Sequence, residues 1–359
     1  MATDNRARRP SVTQEAVAAI AQVHVSTVSR ALDPARSAMV SRTTRDKVLS
    51  AAKQLGYEPH LIASQLRRGR THTVGVIVPD LANPLFAPFV RGVMHALDRN
   101  GYMPLVADTE DDHDRFRRVL GHLASRRVDA IIAAAARAGD AKMLKEAAGR
   151  GMPIILAIRT LAGVDLPLVR HDDVGGGRLA AEHLMDLGHR RLLQLKGPPD
   201  VKAFTDRDVG FTQAAAERGV AVLDLPHQAE RPTAEDGARL IKEVLDCDRP
   251  LPTGIFAQND LMALGALDAL TAAGLRVPQD VSLVGYNDML FATHASVALT
   301  TVRFPAYDIG RLAGAMAHQY IEDPGVSSAS VATSPTLVVR GSTAPPSGDT
   351  TDRLTSTPG

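Results

Sequence analysis

Apolar residues recur at helical spacing in the first part of the chain. The pattern predicts helices over Gln14–Ala21, Val25–Leu32 and Thr43–Leu55. Gly56 should close the third helix, because glycine readily adopts the left-handed conformation found just after helix ends. Three short helices that share a small apolar core predict a compact all-α domain over residues 11–57.

From residue 74 onward, short apolar runs alternate with segments of helix length. The runs that predict strands are 74–79, 105–107, 129–134, 153–158, 192–195, 254–257 and 281–286. Predicted helices between them include 88–100, 113–126, 176–187 and 260–273. Such alternation predicts parallel sheets with helices on both faces. A stretch of roughly 270 residues is long for one sheet, which favours two α/β lobes.

Two segments lack a core pattern of their own. In residues 58–70, Pro59 is suited to start a short helix and Gly69 to end it, but few apolar residues accompany them. This segment is predicted to be a linker that becomes helical conditionally. Residues 344–359 have the composition of a disordered tail.

Charge is distributed unevenly between these parts, although the formal net charge of the chain is only +1. Residues 1–70 carry twelve Lys and Arg against five Asp and Glu, a net charge of +7. The remaining 29 basic and 35 acidic residues give −6. A basic head on a mildly acidic body indicates a polyanion as the partner of the head.

Other bulk features narrow the class of protein. Cys247 is the only cysteine, so an intrachain disulfide or a multi-cysteine zinc site is excluded. The N-terminus has no apolar core of a secretory signal, and no run approaches 18 apolar residues. We therefore expect neither secretion nor a membrane span.

The second predicted helix has a polar face suited to DNA. In a helix-turn-helix, the second helix lies in the major groove and presents its N-terminal side chains to base edges. Val25 could contact a thymine methyl, Ser26 and Ser29 could hydrogen-bond, and Arg30 could reach a guanine or a phosphate. Residues suited to hold the DNA backbone are Thr27, Ser41, Thr43 and Arg45. The pattern alone fits an ordinary three-helix bundle with a polar face equally well.

Longer segments resemble one protein family. VTQEAVAAIAQVHVSTVSRAL and TRDKVLSAAKQLGYEPHLIASQLRRGRT resemble the headpiece and hinge of LacI-family transcription regulators. Further segments resemble that family's signatures in its order, over about residues 12–343: VGVIVPDLANPLF, RRVDAII, AAEHLMDLGHRR, FAQNDLMALGAL, GLRVPQDVSLVGYND, LTTVRFPAYDIG and LVVRGST.

The resemblance implies a domain plan. An all-α helix-turn-helix DNA-binding domain (11–57) and a hinge helix or linker (58–70) precede a two-lobed α/β domain with parallel sheets, similar to periplasmic binding proteins (71–343). This domain binds the effector and dimerises. Lobe one is expected over about 71–171 and 303–325, and lobe two over about 172–302 and 326–343.

The resemblance also implies a function. The protein is expected to be a sequence-specific transcriptional regulator, with repression as the expected sign because the family mostly represses. Its partners would be a double-stranded, pseudo-palindromic operator, a second copy of the chain (a tetramer in some relatives), and a small-molecule effector bound between the lobes. Effector binding would control operator affinity allosterically. We expect the cytoplasm as its location, with nucleoid association when bound to the operator, and no cofactor or metal.

Family matching extends the expected DNA contacts. Leu66 matches a hinge leucine that enters the minor groove and kinks a base step, and Ala63 is small enough for close approach. His24 stands where the family usually has a serine before the reading helix, and its role is left open. The expected set is completed by Thr13, Tyr57 and His60.

The expected effector contacts are Phe86, Arg207, Asn259, Asn287 and Phe304. Asn287 replaces a common Asp, Phe304 a usual Gln, and Pro232 an aromatic residue. Arg207 suits vicinal hydroxyls or a carboxylate. Losing an acid while keeping this arginine points away from a plain neutral sugar, so the effector is expected to be a sugar-like or an anionic metabolite. Asp260 is expected to cap the helix that follows it.

Two other classes of protein were weighed. No G-x-S-x-G, P-loop or H-E-x-x-H motif supports an enzyme. The glycines at 175–177 resemble a phosphate loop but more closely a helix start, and the acids of 110–114 fit a helix N-terminus better than a metal site. The alternative function is an extracytoplasmic ligand-binding protein of a transporter, which the basic head and the missing signal oppose.

Overall fold

The computed structural model describes residues 12–33, 36–57, 70–247 and 249–347. The chain divides into two compact units, Met1–Thr71 and His72–Gly359. Nearly all of the predicted hinge (residues 58–69) and most of the predicted tail (residues 348–359) lie outside the described residues. Within those residues, no helix is both long enough and apolar enough to cross a membrane.

The first unit contains the three predicted helices: α1 (Gln14–Ala21), α2 (Val25–Ala31) and α3 (Arg42–Leu55). Their core is small, and Val17, Val28 and Val48 at its centre are fully buried. Gly56 ends α3 in the left-handed conformation, with φ of 63°. The all-α headpiece is therefore confirmed, and the loop before α3 contains one turn of 3₁₀ helix.

In the turn between α1 and α2, Gln22 adopts the left-handed conformation, with φ of 54°. A side chain there costs about 1 kcal/mol relative to glycine.

We expect Gln22→Gly to raise the free energy of unfolding of the headpiece by about 0.5–1 kcal/mol. Hydrogen exchange of the α1 amides in the full-length protein measures this change. The control Gln54→Gly, an exposed position within α3, should instead lower stability by about 1 kcal/mol, and a loss of stability with Gln22→Gly would contradict the argument.

In its described residues, the second unit contains twelve strands in two sheets. In chain order the strands are β1 (Thr73–Val78), β2 (Met103–Asp108), β3 (Ala130–Ala133), β4 (Ile154–Ala157), β5 (Leu168–His171), β6 (Arg191–Leu195), β7 (Ala221–Leu223), β8 (Gly254–Ala257), β9 (Ser282–Asn287), β10 (Thr300–Arg303), β11 (Ser330–Thr333) and β12 (Thr336–Val338). The sheet of lobe one has the order β11-β5-β4-β3-β1-β2, and that of lobe two the order β12-β10-β9-β8-β6-β7. All pairs are parallel except β10 with β12.

Helices cover these sheets. They are α4 (Phe86–Asp98), α5 (His113–Ser125), α6 (Ala141–Gly149), α7 (Asp173–Asp186), α8 (Lys202–Glu217), α9 (Ala234–Leu245), α10 (Asp260–Ala272) and α11 (Ala306–Glu322). The two-lobed α/β prediction is confirmed. Each parallel sheet presents the carboxyl ends of its strands at one edge, where ligands of such folds bind.

One predicted lobe boundary is wrong. Residues 326–343 were assigned to lobe two, yet Ser330 pairs in parallel with Leu168, so β11 belongs to the sheet of lobe one. The chain thus passes between the lobes after β5, after β10 and after β11. The error has a physical cause: β11 is a short, partly exposed edge strand without the apolar run that marks a central strand.

The three consecutive glycines belong to the first turns of α7 and serve packing. A Cβ atom on Gly177 would lie 2.1 Å from the backbone oxygen of Arg207, and one on Gly176 would lie 2.3 Å from Oη of Tyr286. Glycine therefore lets α7 touch the backbone of α8 and lets Tyr286 approach. The structure thus confirms that these glycines belong to the start of a helix and do not form a phosphate loop.

Candidate functional sites

The predicted reading face of α2 is accessible. Ser26 and Arg30 are exposed, and Val25 and Ser29 are partly buried. On the opposite side, Val28 is completely buried. Because one side of a two-turn helix anchors in the core, the polar side is held toward solvent as the sequence predicted.

The structure shows the local role of His24. It is the N-cap of α2, and its Nδ1 accepts a hydrogen bond from the backbone N–H of Ser26 at 3.2 Å. The same nitrogen lies 2.8 Å from Oγ of Ser26. His24 therefore satisfies one of the free N–H groups at the helix start, a task that serine, threonine, asparagine or aspartate usually performs.

The other predicted DNA contacts separate into three groups. Thr13 caps α1, accepting from the backbone N–H of Ala16, and is exposed. Thr43 and Arg45 are exposed in the first turn of α3, whereas Thr27 is partly buried. Three residues lie outside the described part of the chain: His60, Ala63 and Leu66.

Tyr57, an expected DNA contact, lies in the core of the headpiece. Only 8% of its surface is exposed, and it packs with residues of all three helices. The structure therefore shows a packing role for Tyr57, and its contact with DNA stays a prediction.

A cavity of about 690 Å³, measured to its open mouth, lies between the two lobes. Four of the five predicted effector contacts line it: Phe86, Arg207, Asn259 and Asn287. Pro232 also lines it, together with residues that the sequence did not single out, including Asp80, Asp111, Ile158, Arg159, Phe204 and Arg231.

Phe304 does not line the cavity, so this prediction is wrong. It is 4% exposed and packs against the ring of His171, with centroids 5.0 Å apart. Both residues lie where the chain passes between the lobes, immediately after β10 and at the end of β5. Burial lowers the pKa of His171 to about 4, with a contribution from the positive charge of Arg207, so this ring is uncharged at neutral pH.

Arg207 on α8 is held by partners of the protein itself. Its Nε donates to Asp173 at 2.8 Å, one terminal nitrogen donates to the backbone oxygen of Gln258, and the guanidinium stacks 3.7 Å from the ring centre of Tyr286. Tyr286 also donates its hydroxyl to Asp173. Burial alone would lower the pKa of Arg207, but the charge of Asp173 raises it above its usual value. The buried arginine is therefore charged, and Asp173 balances that charge.

The cap of α10 is Asn259, and not its neighbour Asp260 as expected. Asn259 caps α10, accepting from the backbone N–H of Met262 at 2.7 Å, while its amide nitrogen donates to the backbone oxygen of Pro232. Asp260 is fully buried and accepts from Thr301 and from the backbone N–H of Met289. Burial raises the pKa of Asp260 to about 7. Asp260 thus ties β10 to the loop after β9 and does not cap the helix.

Two residues of the cavity wall have unusual backbone conformations. Asn287 ends β9 with φ of 116°, and Ile158 follows β4 with φ of 66°. Residues other than glycine rarely adopt a positive φ, and those that do are often found at binding and active sites. Oδ1 of Asn287 is also buried without a hydrogen-bond partner, although the residue is only 5% exposed. A buried acceptor with no protein partner is suited to a ligand hydrogen bond.

Asp111 joins a second set of charges at the cavity, which sequence reasoning missed. Both of its oxygens accept from Arg159, at 2.7 and 3.2 Å, and it also forms an ion pair with Arg137. Burial alone would raise the pKa of Asp111, but the two guanidinium groups lower it below its usual value. Asp111 belongs to the acidic segment 110–114, yet among the described residues no group of His, Cys, Asp and Glu could hold a metal ion.

Contacts also cross the mouth of the cavity. Arg137 of lobe one forms an ion pair with Asp200 of lobe two, and Arg231 of lobe two donates to the backbone oxygen of Glu110 at 3.4 Å. A site bounded by two lobes, with contacts that run from one lobe to the other, is suited to couple ligand binding to lobe geometry.

Known proteins resemble the chain over nearly its whole length. Residues 14–60 match the model of bacterial regulatory proteins of the lacI family, and residues 181–343 that of a periplasmic binding protein-like domain. The HTH-type transcriptional repressor CytR of Escherichia coli (strain K12) is 30% identical over 336 residues, 93% of this chain and 96% of that protein. Two solved structures each align with 93% of this chain. One is a Lac repressor dimer bound to operator and the anti-inducer ONPF, with a TM-score of 0.82, 26% identity and 99% of that chain covered. The other is a complex of the transcriptional regulator CelR with cellobiose, with a TM-score of 0.71, 31% identity and 100% of that chain covered.

Proposed function

The chain belongs to the LacI family of bacterial transcriptional regulators, and on that premise we propose that helix α2 reads the operator and that the cavity between the lobes binds a neutral, sugar-like effector. The protein is a DNA-binding transcriptional repressor that acts as a homodimer on double-stranded DNA and responds to a small molecule. Its relatives are transcriptional regulators, which argues against an enzyme and against the transporter alternative. We place it in the cytoplasm, at the nucleoid when it is bound to its operator.

One observation carries the assignment of α2. Ser26 and Arg30 are exposed on a helix whose other side is anchored by the fully buried Val28. Side chains on a rigid helix can hold the geometry that base-edge hydrogen bonds require. The net charge of +7 over residues 1–70 supplies the attraction to phosphates that does not depend on sequence.

We expect Arg30→Ala to weaken binding to the specific operator about 10- to 100-fold and to relax base preference at one position of each half-site. Fluorescence anisotropy with a panel of single-base operator variants measures both effects. Arg45→Ala is the matched control, because a lost phosphate contact should weaken all sequences alike and reduce the salt dependence. Unchanged affinity and unchanged base preference with Arg30→Ala would show that Arg30 does not read DNA.

Charge balance supports a neutral effector. Arg207 is paired with Asp173, and Arg159 and Arg137 share Asp111. Most of the positive charge in the wall is therefore already paired with a carboxylate, whereas Arg231, which also lines the cavity, donates to the backbone oxygen of Glu110. The expectation of an anionic effector relied on Arg207, and the pairing of Arg207 with Asp173 weakens that support.

The remaining lining fits a sugar. Phe86, Phe204 and Ile158 offer apolar surface to the faces of a ring, while Asn287 brings a side-chain amide to the wall that can hydrogen-bond a hydroxyl. Clefts with apolar walls and a few fixed polar groups are typical of small-molecule sites. The likeness to a regulator solved with cellobiose agrees with this chemistry.

Isothermal titration against neutral mono- and disaccharides and their uronic acids tests the proposal. We expect a neutral sugar to bind about tenfold or more tightly than its acid, because a carboxylate would lose its hydration in a cavity where Arg207 and Arg159 already have carboxylate partners. Asn287→Gly should weaken that sugar about tenfold while leaving the melting temperature unchanged or higher, since glycine tolerates the φ of 116°. Preferential binding of the acids would overturn the neutral effector.

A further inference from the structure

His24 and Ser26 at the start of α2 share one hydrogen-bond acceptor. Nδ1 of His24 lies 3.2 Å from the backbone nitrogen of Ser26 and 2.8 Å from its Oγ. Because a backbone N–H can only donate, Nδ1 must be unprotonated to accept from it. The proton of the neutral ring is then on Nε2, and the Ser26 hydroxyl must donate its own proton to Nδ1.

We infer that His24 determines which bases Ser26 can recognise. A free serine hydroxyl can rotate and act as donor or acceptor. When its proton is held by Nδ1, Oγ offers only lone pairs to the DNA. In the major groove the donors are the exocyclic amines of adenine and cytosine, whereas guanine and thymine present carbonyl acceptors. Each base pair carries one such amine, so Ser26 selects the base pairs whose amine-bearing base is on the strand that Oγ faces. His24 is the specificity-determining residue that acts through Ser26.

The cap of α3 in the same headpiece shows why the histidine matters. Ser41 caps that helix, accepting from the backbone N–H of Thr44, and its Oγ lies 2.8 Å from Oγ1 of Thr44. Either hydroxyl can be the donor there, so the direction of the bond is not determined. An unprotonated ring nitrogen, in contrast, has no proton to give. Next to a serine cap, the neighbouring hydroxyl can either donate or accept, whereas an unprotonated histidine cap holds that hydroxyl as a donor.

The inference rests on the proposal that α2 reads bases, and one experiment tests both. Full-length wild type, His24→Ser, Ser26→Ala and the double variant are titrated with operators that carry each base pair at every half-site position. The wild type should prefer an amine-bearing base at the Ser26-dependent position by about tenfold, which Ser26→Ala abolishes. His24→Ser retains a cap but should accept amine and carbonyl bases within about twofold. The double variant should match Ser26→Ala.

Three outcomes would overturn the inference: a wild-type preference for a carbonyl base at that position, an unchanged preference in His24→Ser, or a loss of affinity in His24→Ser that is uniform over all sequences. If Arg30→Ala and Ser26→Ala alter base preference while His24→Ser does not, only the role of His24 fails. If no variant of α2 alters any preference, the proposed reading helix fails with it.

A measurement on the unaltered protein avoids any doubt about folding of the variants. Nitrogen NMR of the His24 ring, assigned by comparison with His24→Ser, should show Nδ1 unprotonated and Nε2 protonated in the free protein at neutral pH. A protonated Nδ1 would make the ring the donor and would overturn the inference directly.

Discussion

Arg207→Ala should lower the free energy of unfolding of the effector-binding unit by about 3–5 kcal/mol and abolish the response to effector. The arginine is 4% exposed and pairs with Asp173, which is also 4% exposed. Removing one partner of a buried ion pair leaves an uncompensated buried charge. The stacking on Tyr286 and the hydrogen bond to the backbone of Gln258 would be lost as well. Urea denaturation measures the stability, and effector titration of the operator complex measures the response.

Two further variants separate charge from recognition. Asp173→Asn combined with Arg207→Met removes both charges, so it should recover much of the stability but none of the response. The matched control is Arg178→Ala, which removes an ion pair with Glu217 at the surface of α7 and α8. This substitution should leave the free energy of unfolding nearly unchanged and the response to effector unchanged. If Arg207→Ala unfolded like wild type and kept its response, the buried pair would have neither assigned role.

Gly177→Ala should destabilise the same unit by about 1–3 kcal/mol or more and weaken effector binding at least tenfold. Its new Cβ atom would lie 2.1 Å from the backbone oxygen of Arg207, a distance that neither helix can relieve by turning a side chain. Helices α7 and α8 must move apart, which separates Asp173 on α7 from Arg207 on α8. Thermal unfolding and effector calorimetry measure the two effects.

Gly121→Ala is the matched control, because Gly121 lies in the interior of α5 with nothing within 4 Å of the position of a Cβ atom. Alanine there should raise the free energy of unfolding by about 0.5–1 kcal/mol, since it is the better helix former. Equal effects of the two substitutions would mean that the close approach of α7 and α8 is not needed.

Local patterns predicted the elements well because both helices and central strands leave strong periodic signals. The run GIFA forms β8 over the predicted residues, and α1 has its predicted bounds. The misplaced β11 is an edge strand that pairs with a segment about 160 residues earlier, and no local pattern reports such a partner. The burial of Tyr57 and Phe304 was not predicted for a related reason: a local pattern does not distinguish an aromatic residue that is buried in a core from one that faces a ligand.

The sequence by itself determined the family, the three-helix headpiece, the two α/β lobes and most of the cavity lining, because these depend on periodicity and on recognisable segments. Only the tertiary structure decided the chemistry of the sites. Asp173 neutralises Arg207 from 34 positions away, Asp111 joins two arginines, and Asn259 takes the capping role that its neighbour was expected to have. Charge balance and hydrogen-bond satisfaction depend on which groups meet in space, and a buried group takes whichever partner the fold brings to it.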